Sequence, residues 1–89
     1  LSIRENADEH RHIIIDRYFE FENEHWIIDY KTSVPTSIEK LDDFLRVQRT
    51  RYTTQLERYR SAIANLYPSS SGNIRTALYF TGIDVLQEL

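Results

Sequence analysis

The chain has 89 residues, with 11 basic and 14 acidic side chains, a formal net charge of −3, and neither cysteine nor methionine. That length holds one domain with one modest core, residues 1–89, and excludes a two-domain enzyme. Without cysteine there is no disulfide framework, zinc knuckle or thiol nucleophile, which suits a reducing compartment. No apolar run approaches the roughly 18 residues of a membrane span, and Leu1 to Asp8 lack a signal-peptide pattern, so the expectation is a soluble protein with no membrane partner. The absence of an initiator methionine leads us to expect a piece of a larger chain.

Residues 11–20 (RHIIIDRYFE) and 24–30 (EHWIIDY) are rich in β-branched and aromatic side chains, which predicts a β-hairpin. A two-residue turn at Glu22 and Asn23 sets a register in which paired positions sum to 45, so that Asp16 lies opposite Asp29. Both strands carry apolar residues on both faces, and such strands are usually covered on both sides. Leu1 to Arg4 are read as an added outer strand, joined through a polar loop at Asn6 to Glu9.

Pro35 ends the second strand. Thr36 and Glu39 have the spacing of a capping box, and Ile38, Leu41, Phe44 and Leu45 supply an apolar stripe, which predicts a helix from Thr36 to near Arg49. Tyr52, Leu56, Tyr59, Ile63 and Leu66 recur at steps of four and three, predicting a second helix over 50–67 that Pro68 and Ser69 to Gly72 stop. Ile74 to Thr81 and Asp84 to Leu89 read as two strands around Gly82. The expected order is β-β-β-α-α-β-β, an α+β fold.

Charge is uneven along this order. Residues 1–33 hold eight acids and four bases, whereas residues 39–60 hold four acids and six bases. The hairpin register brings Asp16, Asp29 and Lys31 to one face, because opposed residues hold their Cβ atoms about 4.5–5.5 Å apart and residues i and i+2 share a face. Two carboxylates at that spacing suit a hard divalent cation that keeps its other positions for water and phosphate. Placing them among isoleucines costs stability unless they are paired or metal-bound. The blander reading puts Asp16 at a strand end, with Asp29 and Lys31 as a surface ion pair.

The strings IIIDRYFE and WIIDYKTS, followed by QLERYRSAIANLYP and IRTALYFTGIDVLQEL, resemble the C-terminal part of a PD-(D/E)XK nuclease domain. The likeness is to the RecB-like branch found in bacterial UvrD-type, AddA-like helicase–nuclease subunits, and it runs in family order from about His12. It implies a restriction-endonuclease-like core, a mixed sheet with an antiparallel hairpin flanked by two helices, with the family's N-terminal helix missing. It implies Asp16 and Asp29 as acidic ligands of Mg²⁺, with Mn²⁺ as the alternative metal and the Tyr30 carbonyl as a third ligand. Lys31 matches the catalytic lysine, and Gln55 and Tyr59 match a helical Q-x-x-x-Y element lining the same site. Ile13 stands where family members commonly have a small residue.

The implied activity is phosphodiester hydrolysis in DNA by an exonuclease-type enzyme of double-strand break repair and recombination. The implied partners are DNA, the helicase domains of the same parent chain and a second helicase–nuclease subunit, in a bacterial cytoplasm. Gln55 and Tyr59 are one helical turn apart and so point the same way; read without the likeness, Tyr59 is core and Gln55 a boundary residue. Lys31 and Arg58 are the candidate DNA contacts, and Arg46, Arg49, Arg51 and Arg60 are read as ordinary solvated helix residues. His10, His12 and His25 are expected in loops or on exposed strand positions. The rival readings are a nuclease-like module without catalysis that binds DNA or braces a helicase, and an α+β interaction domain with no nucleic-acid role.

Overall fold

The structure, a computed structural model, describes residues 1–4 and 12–89. Two short strands, β1 (Ser2–Arg4) and β2 (His12–Ile14), pair antiparallel as a small sheet. The main sheet has the order β3-β4-β5-β6, from β3 (Arg17–Phe21), β4 (Glu24–Lys31), β5 (Ile74–Phe80) and β6 (Val85–Glu88). Its central pair, β4 and β5, is parallel and its outer pairs are antiparallel, so the sheet is mixed. A parallel pair needs a crossover connection, and here it is one helix, α1 (Leu41–Leu66), followed by a 3-10 segment at Pro68–Asn73. The fold is therefore α+β. Among the described residues no helix is long and apolar enough to cross a membrane.

The β3–β4 hairpin has the expected register, with Arg17 opposite Ile28 and Phe21 opposite Glu24. Glu22 and Asn23 have φ of 50° and 64°, the paired positive values that a two-residue turn needs to match the right-handed strand twist. The outer strand at the N-terminus pairs as expected, while Asn6 to Glu9 and His10 lie outside the described residues. Strands β5 and β6 fall within a residue or two of their predicted bounds.

Three expectations are corrected. The run 11–20 is not one strand: it breaks at Ile15 and Asp16, and its two parts join different sheets. Asp16 interrupts it by accepting the Tyr30 N–H on its Oδ2 at 2.9 Å, where a ladder bond would otherwise continue. The two predicted helices are one helix of 26 residues. Nothing between Gln48 and Arg51 breaks a helix, and Thr50 and Thr53 return their hydroxyls to the carbonyls of Arg46 and Arg49. The Thr36 N–H does reach Glu39 Oε1, at 3.2 Å, but this closes a turn before the helix, which starts after Lys40 and carries Asp42 and Asp43 in its first turn. Ile38 is consequently 93% exposed rather than part of a buried stripe.

The third correction concerns the sheet faces. β4 alternates along its length, with His25, Ile27 and Asp29 buried on the face toward α1. Ile27, Leu78 and Phe80 meet Phe44, Leu56 and Ile63 of the helix in a core that also takes Ile3, Ile13 and Ile15. The opposite face is not fully covered. Phe19 and Trp26 stack there at 6.3 Å, Tyr30 and Tyr79 meet edge to face at 6.1 Å, and the guanidinium groups of Arg17 and Arg75 lie over Phe19 and Trp26. These contacts shelter apolar surface on a face where Tyr30 and Leu86 remain exposed.

Glu22 in the left-handed region carries a backbone penalty that Asn or Gly would lower. Replacing Glu22→Asn is expected to raise the unfolding free energy by about 1 kcal/mol, measured by urea denaturation, with the register of β3 and β4 unchanged.

Candidate functional site

The carboxyl-terminal end of β4 brings the sequence's polar cluster together beneath α1. Asp29 is 4% exposed and Lys31 is half-buried beside it, both on the face that packs against the helix. Lys31 Nζ lies 2.6 Å from Asp29 Oδ2. This is a close ion pair, and Asp29 Oδ2 has no further, well-directed hydrogen bond. From α1, Gln55 places its Oε1 3.2 Å from Lys31 Nζ as acceptor, and its Nε2 donates to the Tyr59 hydroxyl at 3.0 Å. The chain of contacts Asp29–Lys31–Gln55–Tyr59 thus ties a strand to a helix 24 residues further along the chain.

Asp16 enters from the break between β2 and β3. Its bond to the Tyr30 N–H holds it beside the end of β4, just beyond the last ladder pair, Arg17 with Ile28. Burial pushes the Asp29 carboxyl above the usual aspartate range, Lys31 opposes that rise, and the charge of Asp16 adds to it. Burial also raises the Tyr59 hydroxyl, reinforced by the charge on Asp29. The electrostatics are those of two carboxylates sharing a space with one ammonium, a group short of positive charge.

Five sequence-predicted residues, Asp16, Asp29, Lys31, Gln55 and Tyr59, are therefore brought to one place, and Tyr30 lies beside them through its backbone. Arg58 is exposed on α1, one residue before Tyr59 and three after Gln55. Arg46 pairs with Asp43, Arg49 reaches the Glu88 carbonyl at 3.4 Å, and Arg60 binds the Ile74 carbonyl and Thr76. His25 is corrected: it is buried, hydrogen-bonded to the Tyr18 hydroxyl and stacked on Tyr67 at 4.9 Å. Its alternation with Ile27 turns it inward, and the two tyrosines give its ring an amphipathic pocket. His12 is on an exposed position of β2, as expected.

One neighbour of the site was hidden by its apolar spacing. Tyr52 sits in the helical stripe and reads as core, yet its ring lies under Lys31 Nζ at 3.7 Å from the centroid. Its signal was the step of three to Gln55, which puts both on one face.

Among the described residues, no three His, Cys, Asp or Glu side chains gather as a metal cluster. The donor set is two carboxylates. That set fits Mg²⁺, which is commonly held by one or two carboxylates with water and substrate phosphate completing its shell. Asp29 Oδ2 already meets Lys31 Nζ at 2.6 Å, so such an ion would share this carboxylate with the lysine. Comparison with known proteins gives no matching family model and no curated relative.

The raised Asp29 carboxyl sets the sign of a pH effect. Between the ordinary aspartate value of about 3.9 and the raised native value, the folded state binds more protons than the unfolded chain, so stability falls as pH rises. In metal-free buffer, the unfolding free energy of the protein relative to its Asp29→Asn variant is expected to decline through that window and level off above it. A difference that grows with pH contradicts the burial of the charge.

Proposed function

We propose that this chain is a metal-dependent DNA nuclease domain of the PD-(D/E)XK superfamily, in the RecB-like branch, with a restriction-endonuclease-like core. The observation that carries the reading is the convergence of Asp16, Asp29 and Lys31 at the end of a hairpin strand, with Gln55 reaching Lys31 from the crossover helix and Tyr59 accepting from Gln55. Each of these residues also has its place in the sequence likeness. The mixed sheet with its antiparallel hairpin agrees with that core, although a single helix serves where two were expected.

Asp16 and Asp29, with the carbonyl of Tyr30, are the groups to hold Mg²⁺ or Mn²⁺. When bound, such an ion supplies Lewis-acid stabilisation of charge on phosphoryl oxygens and makes a bound water acidic enough to attack at neutral pH. Lys31 carries the positive charge the chain itself contributes, aimed at the negative charge that grows on the scissile phosphate. Gln55 holds the lysine as a hydrogen-bond acceptor, and Tyr59 fixes the orientation of the Gln55 amide. Arg58 and Lys31 are the side chains assigned to the DNA backbone. The domain acts, on this reading, with helicase domains of its own parent chain and a second helicase–nuclease subunit in bacterial double-strand break repair and recombination.

A second reading, a module that binds DNA or a helicase without cutting, is favoured by one observation: only two carboxylates meet at the site among the described residues. Cleavage separates the two. The protein incubated with linear DNA and Mg²⁺ is expected to release nucleotides or short fragments, and Asp29→Ala and Lys31→Ala are each expected to lose roughly 10²-fold or more in rate. Cleavage at an undiminished rate in both variants overturns the nuclease assignment, and binding of DNA without any cleavage by the parent selects the second reading.

A further inference from the structure

We infer that Tyr52 is a positioning residue for Lys31, holding the ammonium over its ring face so that the lysine stays in place when Asp29 is engaged by a metal ion. The inference deepens the nuclease reading and rests on it for its functional part. An ammonium has three N–H donors and no acceptor. Here Lys31 Nζ meets Asp29 Oδ2 at 2.6 Å, Gln55 Oε1 at 3.2 Å and the Tyr52 ring at 3.7 Å from its centroid. The last distance is well inside the roughly 6 Å over which a ring face attracts a cation.

The three partners differ in what they do when a divalent ion arrives. Asp29 is also the buried carboxylate assigned to the ion, so its oxygens then serve two cations at once. Gln55 and Tyr52 do not bind the ion and keep their hold on the lysine. A ring face suits that task because it attracts a cation without adding a third carboxylate to compete for the metal or to repel phosphate. Tyr52 is half-buried, and it stands one helical step of three before Gln55, so the same turn of α1 delivers both restraints. The ring therefore does for the lysine's position what the Gln55–Tyr59 bond does for its hydrogen bonding.

The chain contains two lysines, Lys31 and Lys40, and Lys40 is exposed, which gives an internal reference. In NMR spectra of protein labelled at lysine, ring current from Tyr52 is expected to shift the ε-methylene protons of Lys31 upfield of those of Lys40. Tyr52→Phe keeps that shift, and Tyr52→Leu abolishes it. In the cleavage assay, Tyr52→Leu lowers kcat by about 2- to 30-fold, and Tyr52→Phe restores the parent rate. Coincident Lys31 and Lys40 signals in the parent overturn the inference, as does a Tyr52→Leu variant that loses the shift and keeps its kcat. If Tyr52→Leu fails to fold, the parent and Tyr52→Phe spectra decide the ring contact. If the parent cuts no DNA, the nuclease reading fails, and the spectra decide the positioning of Lys31 alone.

Discussion

The placement of Asp29 beside Lys31 under a helix is the constraint on which the rest of this structure turns. A carboxylate that is almost fully buried carries a large desolvation cost, and one ammonium at 2.6 Å offsets it only in part. The raised Asp29 carboxyl records the remainder. Apolar residues of similar volume in place of a buried ion pair are often neutral or stabilising, so stability alone does not account for this one. Its cost is borne by the apolar layer immediately around it, where Ile27, Leu78 and Phe80 are fully buried.

The strand alternation that makes this arrangement possible also divides the sheet's chemistry. On the helix side, β4 presents His25, Ile27, Asp29 and Lys31 in order, so the buried polar groups lie toward both ends of an apolar centre. At one end His25 is satisfied by Tyr18 and Tyr67, a closed aromatic group that takes no part in the cluster. At the other end the polar groups stay open to Asp16, which is exposed and held by a backbone N–H. The parallel β4–β5 pairing places the C-terminal ends of both strands together, with Lys31 opposite Phe80, and it requires the long crossover that puts Gln55 and Tyr59 over the site. Sheet topology and site geometry thus share one cause.

Much of this was legible in the amino-acid sequence, and the reasons are physical. The turn at Glu22 and Asn23 set the hairpin register from Phe21 opposite Glu24 to Arg17 opposite Ile28, which points Asp16 toward the end of β4. The step of four between Gln55 and Tyr59 placed both on one face. What escaped was the tertiary override of local signals. Thr36 and Glu39 have the spacing of a helix start and form a turn with one of its bonds, but the buried residues that hold the helix begin at Phe44. The single helix was hidden because polar residues from Gln48 to Arg51 blur the apolar stripe, and Gln48 is itself buried. The break at Asp16 was invisible to strand propensity because its cause is a side chain taking a backbone N–H. Tyr52 was concealed because an aromatic residue in a helical stripe looks the same whether its ring meets a leucine or an ammonium.

On the proposed reading, Asp16 and Asp29 act together on one cation. Calorimetric titration of the protein with Mn²⁺, beside its Asp16→Ala and Asp29→Ala variants, tests this most directly. One ion bound per chain by the parent, with binding lost in both variants, is the predicted result. An isotherm that either variant leaves unchanged, or no binding by the parent, contradicts the two-carboxylate site at the end of β4.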